Sequence, residues 1–329
     1  MTKVTSFSII HFHFHRRKTG VTRSIEQLLP FLKKDLPTYL FGYGISGEKI
    51  KLFDLLKVLY GKTPTVVHVH RNNEMLGALL LRFFGAKFSL YFTRHSATTP
   101  SGITRFLMNK ADRCIYLTPK ASFTSPNKSD VVPHGIDLDY FIPGNFPIKE
   151  RKTIGVVGRV RPMKGQAVVL EGLIPFLQEN PDWSLRIIGK IDKANYANQL
   201  QDLASKEKIQ SQVIFEEPTP DIRSFYHRCS LIINASFSEG FSLVPLEAMA
   251  CGCSVIATKD VGIHSSLIEN NVNGFLFTKG DTNYLKEQVN KIVENELYFA
   301  ESQLRKSIIN WDIKVVAKQL ITVYKTARS

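Results

Sequence analysis

Short runs of apolar, often β-branched residues alternate with helix-length segments along the whole of this 329-residue chain. In the first half the predicted strands span residues 6–12, 38–42, 65–70, 88–93 and 114–117. In the second half they span residues 153–158, 185–189, 213–216, 231–235, 254–258 and 275–277. Strands this apolar, separated by crossover helices, predict parallel sheets covered by helices on both faces.

A linker is predicted at residues 141–152 (FIPGNFPIKERK), which contain two prolines, a glycine and a charge cluster directly before a new strand. We therefore expect two doubly wound α/β domains, at residues 1–145 and 146–310, that face each other across a cleft. Ligands of such sheets bind at the carboxyl ends of the strands.

The charge is concentrated in the first half of the chain. The net charge is +14, and residues 1–150 hold 21 Lys and Arg against 10 Asp and Glu. Such a field attracts nucleic acid, phosphorylated substrates or anionic lipid. No uncharged apolar run of about 18 residues is present, so we expect no transmembrane helix. The four cysteines lack the spacing of a disulfide framework or a zinc site, which favours reduced thiols in the cytoplasm.

The most informative stretch spans residues 236–252 (SFSEGFSLVPLEAMACG). It follows an apolar run, and the pattern predicts a helix from about Leu243. Gly240 lets the backbone pass close to a ligand, and amides at a helix start suit an anion such as phosphate. Glu239 precedes the helix and Glu247 lies about one turn inside it. Taken as isolated acids, they would be a solvated loop acid and a helix-surface acid. The amides expected to face the anion are those of Phe241, Ser242 and Leu243.

The pattern E-G-F-S-L-x-x-L-E-A-M-A-C-G at residues 239–252 resembles the signature of retaining glycosyltransferases of family four. Three further segments resemble that family in the same order: VPHGID at 132–137, GRVRPMKG at 158–165 and NGFLF at 273–277. The resemblance covers roughly residues 130–280. It implies the GT-B fold, in which two Rossmann-like domains face across a cleft and the last helix, within 311–329, packs back on the first domain.

The resemblance implies a role for each motif residue. Glu239 would contact hydroxyls of the donor sugar, Glu247 would bind the ribose hydroxyls, and Arg159 and Lys164 would neutralise the diphosphate. A carboxylate that accepts two vicinal hydroxyls makes a strong, charge-assisted pair of hydrogen bonds. An exposed basic turn is the alternative for the two cations.

The resemblance also implies a hexosyltransferase that works without a metal ion or other cofactor. Cations and amides would stabilise the leaving diphosphate, and no protein nucleophile is expected. The Asp-x-Asp at 137–139 falls before the linker, so we do not interpret it as a metal site.

The first half carries further candidates. His95 ends a predicted strand, and family members often have a histidine there that contacts the donor sugar; a structural role is the alternative. In the loop RRKTGVTR at 16–23, Gly20 is expected to bind the donor, and Thr19 replaces the first of two glycines that the family commonly shows. Its basic residues are expected to bind an anionic acceptor; they are Arg16, Arg17, Lys18 and Arg23.

A polar segment, RNNE at 71–74, directly follows the third predicted strand. With the RRKTGVTR loop and the TRHS segment at 93–96, it resembles lipopolysaccharide-core mannosyltransferases that act on the inner keto-sugar acid. This implies transfer of mannose from GDP-mannose to a lipid-linked anionic saccharide, at the cytoplasmic face of the inner membrane. An Asn pair that caps a helix beside a surface Glu is the alternative. The further acceptor-binding candidates are Arg71, Asn72, Asn73, Glu74 and Arg94.

Two features favour structural explanations at least as strongly as functional ones. His11, His13 and His15 alternate along a predicted strand, and we interpret them as packing rather than as a metal site. Residues 100–113 could form a short basic amphipathic helix for a membrane interface. Its apolar residues, exposed in that case or buried in the alternative, are Ile103, Phe106, Leu107 and Met108.

The sequence is also compatible with other functions. A UDP- or ADP-sugar could replace the GDP-sugar. The high isoelectric point allows a nucleic-acid-binding protein, but no aromatic stacking platform or binding motif accompanies the basic residues, so we expect no nucleic-acid partner. A sugar-nucleotide epimerase or a phosphorylase could share the architecture, although we find no lysine site for a phosphorylase cofactor.

Overall fold

The structure is a computed structural model that describes residues 7–96, 98–119, 129–294 and 297–326. The chain divides into two compact units. Unit 1 comprises Met1–Asp137 and Trp311–Ser329, and unit 2 comprises Leu138–Asn310. The division thus falls slightly before the predicted boundary at residue 145.

Unit 1 contains a six-stranded sheet in the order β2-β1-β3-β4-β5-β6, in which all neighbouring strands are parallel. The strands are β1 (Ser8–Phe14), β2 (Thr38–Tyr43), β3 (Thr65–Val69), β4 (Ser89–Arg94), β5 (Arg113–Tyr116) and β6 (Ser129–Val131). The edge strand β6 was not predicted from the sequence.

Helices cover both faces of this sheet. Ile10 and Phe12 of β1 pack into one apolar core, whereas Phe7 and Ile9 pack into another that includes Val316. Successive side chains of a strand point to opposite faces, so β1 serves both cores. The helices are α1 (Gly20–Asp35), α2 (Leu52–Leu59), α3 (Asn72–Phe83), α4 (Gly102–Met108) and the C-terminal helix (Ile313–Thr326), which packs on α1.

Unit 2 also contains a six-stranded parallel sheet, in the order β12-β11-β10-β7-β8-β9. Its strands are β7 (Thr153–Val157), β8 (Ser184–Ile188), β9 (Val213–Glu216), β10 (Leu231–Asn234), β11 (Ser254–Thr258) and β12 (Phe275–Phe277). Its helices are α5 (Gln166–Glu179), α6 (Ala194–Lys206), α7 (Arg223–Tyr226), α8 (Val244–Ala250), α9 (His264–Leu267), α10 (Thr282–Glu294) and α11 (Glu301–Ser307). Short 3₁₀ turns occur at Ile148–Glu150, Pro162–Lys164 and Ile309–Trp311.

The strand order reverses once in each sheet, between β1 and β3 in unit 1 and between β7 and β10 in unit 2. Doubly wound sheets bind ligands at such switch points, outside the carboxyl ends of the strands. The prediction of two doubly wound α/β domains is therefore confirmed. Each switch point is followed by loops that carry predicted site residues.

Among the described residues, the helices are all too short or too polar to cross a membrane.

Candidate active site

In unit 2, the loop after β7 and the loop after β10 touch through their backbones. Gly165 has φ +70°, and a Cβ atom there would lie 2.1 Å from the carbonyl oxygen of Ala235. The amide of Phe237 donates to the carbonyl of Met163 at 3.0 Å. Only glycine allows this approach, which places Lys164 beside the loop that carries Glu239.

Lys164 and Glu239 form an ion pair. Lys164 Nζ lies 2.5 Å from Glu239 Oε1, and both side chains are mostly buried, at 17% and 15% exposure. The hydroxyl of Ser236 donates to the same oxygen at 2.7 Å. The structure thus brings together a cation and a carboxylate that the sequence assigned to different parts of one donor.

The turn before α8 has strained backbone. Ser242 adopts φ +83°, which is uncommon for a residue other than glycine. The Asn234 side-chain amide donates to its hydroxyl at 2.8 Å, and the Phe241 carbonyl accepts from the Ile263 amide at 2.9 Å. The helix begins at Val244, one residue later than predicted. The turn from Gly240 to Leu243 is therefore held by its neighbours, ahead of a helix of only seven residues.

Glu247 is oriented by a buried tyrosine. The hydroxyl of Tyr226 donates to Glu247 Oε2 at 2.7 Å. Burial, and then the negative charge of Glu247, raise the pKa of Tyr226 well above its ordinary value, so the phenol stays protonated as a donor. The carboxylate is therefore held in one direction, and its predicted role at the ribose hydroxyls stays a prediction.

Arg159 has a partner of its own. Its Nη1 lies 3.3 Å from Asp192 Oδ2, and its side chain is nearly half exposed. Its carbonyl accepts from the Gln166 side-chain amide at 2.9 Å. Arg159 and Lys164 are thus paired with different acids, and their predicted role at a diphosphate stays a prediction.

In unit 1, Glu74 is fully buried, which corrects its predicted contact with an acceptor. Its carboxylate accepts from the backbone amides of Phe14 at 3.1 Å and His70 at 2.7 Å, and from Arg71 at 3.1 Å. It therefore ties the carboxyl ends of β1 and β3 together at the switch point, and its burial leaves no surface for a substrate.

The neighbours of Glu74 have polar partners within the same edge of the sheet. Arg71 also donates to the hydroxyl of Thr19 at 2.9 Å. The Asn72 amide donates to Thr104 at 2.9 Å, and the Asn73 amide donates to the Phe14 carbonyl at 2.6 Å. Of the polar segment at 71–74, Asn73 is the exposed member.

Burial also corrects the prediction that Arg94 binds the acceptor. It is 6% exposed and donates to the backbone carbonyls of Ser96 and Thr98. A guanidinium held by carbonyls shapes the loop after β4 and has little surface to offer an acceptor.

The basic loop after β1 is accessible. Thr19, which replaces a glycine of the family, is the N-cap of α1, and its side chain accepts from the Thr22 amide. Gly20 is the first residue of α1, and a Cβ atom there would meet no atom of the described residues within 4 Å. The side chains that the sequence assigned to an anionic acceptor are exposed here: Arg16, Arg17, Lys18 and Arg23.

His95 lies within a group of histidines that are far apart in the sequence and that no sequence motif connects. Its Nε2 lies 3.0 Å from His70 Nδ1, and its Nδ1 lies 3.2 Å from His134 Nε2. A cavity of about 40 Å³ borders all three imidazoles. Burial lowers the pKa of His95 well below its ordinary value, so it is neutral at pH 7.

Three imidazole nitrogens, one each from His11, His68 and His70, lie within 4.8 Å of one another. Zinc–nitrogen bonds are about 2.0–2.1 Å, so an ion would require the rings to draw closer. Both nitrogens of His68 already have partners, at 2.6 Å in Tyr324 and Thr93. The register that pairs His11 with His68 across β1 and β3 was the signal that could have joined these histidines.

The comparison with known families decides the class of protein. The family described as Glycosyl transferases group 1 matches residues 141–311, more than half of the chain. This chain belongs to that family. The segment matched contains both loops of unit 2, with the Lys164–Glu239 pair and Glu247. The protein is therefore an enzyme, a glycosyltransferase.

Two curated relatives resemble this glycosyltransferase along its whole length. One is the lipopolysaccharide core biosynthesis mannosyltransferase LpsB of Rhizobium meliloti (strain 1021), at 28% identity over 99% of both chains. The other is LpcC of Rhizobium leguminosarum bv. viciae, which carries the same description, at 26% identity over 99% of this chain and 98% of the relative.

A solved structure supports the fold. The structure of Anabaena Alr3699/HepE in complex with UDP has a TM-score of 0.79 and 18% identity, and the match covers 97% of this chain and 100% of the other. The GT-B fold class expected from the sequence is confirmed.

Proposed function

We propose that this glycosyltransferase is a retaining, metal-independent enzyme that transfers mannose from GDP-mannose to a lipid-linked anionic saccharide such as the lipopolysaccharide inner core. The observation that carries the proposal is the full-length similarity to two relatives named as lipopolysaccharide core mannosyltransferases, at 26% and 28% identity. Because the similarity extends over unit 1 as well as unit 2, it supports a shared acceptor class and not only a shared donor fold.

Unit 2 supplies the chemistry for the nucleotide sugar. Glu247, oriented by Tyr226 at 2.7 Å, binds the two ribose hydroxyls. Lys164 and Arg159 stabilise the diphosphate as negative charge develops on it, which is electrostatic preorganisation. Glu239 contacts sugar hydroxyls and, 2.5 Å from Lys164 Nζ, keeps that cation aligned until the diphosphate arrives.

Unit 1 supplies the chemistry for the acceptor. The exposed guanidinium and ammonium groups of Arg16, Arg17, Lys18 and Arg23 bind carboxylates or phosphates of an anionic saccharide. His95 meets the donor sugar, as the family resemblance implies.

The reaction we propose proceeds on one face of the sugar. The acceptor hydroxyl forms a bond to the anomeric carbon while the bond from that carbon to the diphosphate oxygen breaks. The departing phosphate oxygen takes the proton of the hydroxyl, so no protein nucleophile or separate base is required. The configuration at the anomeric carbon is retained because attack and departure share a face.

The acceptor's lipid places the enzyme at the cytoplasmic face of the inner membrane. Apolar side chains on α2, α3 and α4 are exposed, with Phe53 at 78%, Phe83 at 83% and Ile103 at 71%. Exposed Lys51, Lys57, Arg105 and Lys110 lie on or beside the same helices. Apolar groups with basic neighbours suit an anionic lipid surface. Leu107 and Met108, expected from the sequence to be exposed if α4 faces a membrane, are buried in the core instead.

Vesicle flotation tests this association. We expect the protein to float with vesicles that contain anionic phospholipid and not with neutral vesicles. Replacement of Phe53, Phe83 and Ile103 by Ser should abolish flotation, whereas replacement of the exposed Ile309, which lies outside these helices, should not. Flotation that ignores both lipid charge and the triple change would contradict the proposal.

One specific observation supports an alternative donor. The HepE structures contain UDP or UDP-glucose, at TM-scores of 0.79 and 0.77. A UDP-sugar, used to build another surface polysaccharide, is therefore the alternative.

A thermal-shift titration with GDP, UDP, ADP and GDP-mannose tests the proposal. A ligand at a hundredfold excess over its dissociation constant stabilises a protein by about 2.7 kcal/mol. Selective stabilisation by GDP and GDP-mannose is the expected result. Selective stabilisation by UDP would keep the transferase and discard mannose from GDP-mannose, and no response to any nucleotide would overturn the assigned donor site.

A further inference from the structure

Four imidazoles of unit 1 form an unbroken chain of contacts that begins in the core. His11 Nδ1 lies 3.1 Å from His70 Nε2, His70 Nδ1 lies 3.0 Å from His95 Nε2, and His95 Nδ1 lies 3.2 Å from His134 Nε2. Each contact joins the Nδ1 atom of one ring to the Nε2 atom of the next. The chain therefore has a direction, and the direction is set by where the protons are.

All four rings are neutral at pH 7. Burial lowers the pKa of His11 to about 3 and that of His134 to about 4, and it lowers the pKa values of His70 and His95 well below the ordinary value. A neutral imidazole has one N–H donor and one lone pair. Each contact can therefore be a hydrogen bond only if all protons lie on the same kind of nitrogen along the chain.

The core end of the chain decides which nitrogen that is. His11 is 0% exposed, and its Nε2 has no hydrogen-bond partner among the residues that the structure describes. The cavity beside the chain borders His70, His95 and His134 but does not reach His11. A buried N–H without an acceptor is rarer in proteins than an unsatisfied acceptor. His11 therefore carries its proton on Nδ1 and leaves a lone pair on Nε2.

We propose that the unpartnered nitrogen of His11 polarises the whole chain outwards, so that His70 holds His95 as the tautomer protonated on Nδ1. His11 donates to His70, His70 donates to His95, and His95 donates to His134. His11 and His70 are then positioning residues for His95. The hydrogen-bond partners of each ring decide which of its two nitrogens carries the proton.

The tautomer of His95 restricts how this side chain contacts a substrate, and that contact rests on the proposed function. The Nε2 lone pair of His95 is committed to His70, which excludes a general-base role through that atom. The proton on Nδ1 is the one that His95 offers. A ligand oxygen, a hydroxyl or phosphate of the donor, takes the place of His134 as its acceptor.

Nuclear magnetic resonance of the full chain, labelled with ¹⁵N-histidine and otherwise deuterated, tests the assignment. Two other histidines serve as internal references because a carbonyl fixes their tautomers. His264 donates from Nδ1 to Thr258, and His227 donates from Nε2 to Ile142, both at 2.8 Å. We expect His11, His70 and His95 to show the pattern of His264. The pattern of His227 at His95, or averaging of its two nitrogens, would overturn the proposal.

Substitutions of His70 connect the tautomer to turnover. His70→Phe removes the donor to His95 Nε2. We expect the His95 pattern to change and kcat to fall about tenfold, the order of effect of one lost hydrogen bond. His70→Asn retains an amide donor near the same position and should recover most of both. His227→Phe, in unit 2, is the matched control and should change neither.

The failure of this inference is distinguishable from the failure of the proposed function. If His70→Phe leaves both the His95 spectrum and kcat as in the unchanged protein, His70 is not a positioning residue and the inference is overturned. If the spectra match expectation while GDP, UDP, ADP and GDP-mannose all fail to stabilise the protein, the donor assignment fails and the polarised chain stands. The spectra require neither donor nor acceptor.

Discussion

The two switch points of this glycosyltransferase are built in different ways. In unit 2 the loops after β7 and β10 are set by backbone features, Gly165 against Ala235 and the positive φ of Ser242. Arg159 and Lys164 are each paired with an acid. In unit 1 the ends of β1 and β3 are joined by buried polar groups, Glu74 and a chain of imidazoles. Local sequence motifs identify the loops of unit 2. The buried polar groups of unit 1 are identified only once the pairing register of its strands is known.

The largest expected difference between the units is their response to acid. Burial lowers the pKa of His11 from 6.5 to about 3 and of His134 to about 4, and it also lowers the pKa values of four more histidines of unit 1. Unfolded histidines bind protons below about pH 6.5 and these folded ones do not, so the free energy of unfolding falls as the pH drops from 6.5 towards 4. Each such histidine contributes about 1.4 kcal/mol per pH unit.

Hydrogen exchange at pH 7, 6 and 5 measures this response separately in the two units. We expect the strands of unit 1 to lose protection more steeply than those of unit 2, where His264 is buried with a lowered pKa. His11→Phe should reduce the pH dependence of the unfolding free energy of unit 1 by the contribution of one bound proton, about 1.4 kcal/mol per pH unit. Equal slopes in both units would contradict the comparison.

Removal of Glu74 should come next in size. Glu74→Ala leaves two backbone amides and Arg71 without their carboxylate, and loss of one partner of a buried ion pair costs about 3–5 kcal/mol. Urea unfolding measures the change. Glu48→Ala, which removes an exposed carboxylate paired with Lys33, is the control and should leave stability unchanged. Equal effects of the two substitutions would refute the anchoring role.

In unit 2 the effect should appear in turnover rather than in stability. Lys164→Ala removes the cation we assign to the leaving diphosphate, and we expect kcat to fall on the order of a hundredfold. Lys152→Ala, which breaks an exposed pair with Asp182 in the same unit, is the matched control. A near-normal rate for Lys164→Ala would remove its role in the reaction.

Glu247→Ala should weaken binding of the donor nucleotide by about 1.5–3 kcal/mol, the range for a hydrogen bond to a charged group. Tyr226→Phe removes only the hydroxyl that orients this carboxylate, so about 0.5–1.5 kcal/mol is expected. Titration calorimetry measures both. An unchanged affinity for Glu247→Ala would exclude the ribose role.

The smallest expected effect is that of metal removal. We expect activity to survive dialysis against EDTA, because we assign stabilisation of the diphosphate to the side chains of Arg159 and Lys164. The same dialysis, followed by metal analysis, tests whether the His11, His68 and His70 cluster retains an ion. Loss of activity that magnesium restores would contradict the metal-free reaction.

Most strands were predictable because their apolar runs are local. Val213–Glu216, Ser254–Thr258 and Phe275–Phe277 match the predicted bounds. The strand Ser129–Val131 was missed because its three residues, Ser-Asp-Val, carry no apolar run. It pairs with β5 along one edge of the sheet, and that pairing is a long-range contact.

The candidate site was predictable to different depths in the two units. The motif around Glu239 and Glu247 named residues that the fold brings to one switch point. For Glu74 and Arg94 the sequence indicated polarity but not burial, because their partners include the backbone of Phe14 and Thr98, which no pattern identifies. The imidazole chain required the register of β1 against β3.

The conformation of Ser242 has a consequence for which substitutions this glycosyltransferase can accept. With φ at +83°, position 242 is open to glycine and closed to β-branched residues, although its neighbours on either side are ordinary in this respect. Substitution at this turn is therefore restricted. A change of Ser242 to glycine relieves the backbone strain but removes the hydroxyl that accepts a hydrogen bond from Asn234. A second change at position 234 would then lose only the hydrogen bond that its side-chain oxygen accepts from the Ser236 amide at 3.4 Å. Relatives should vary at the two positions together.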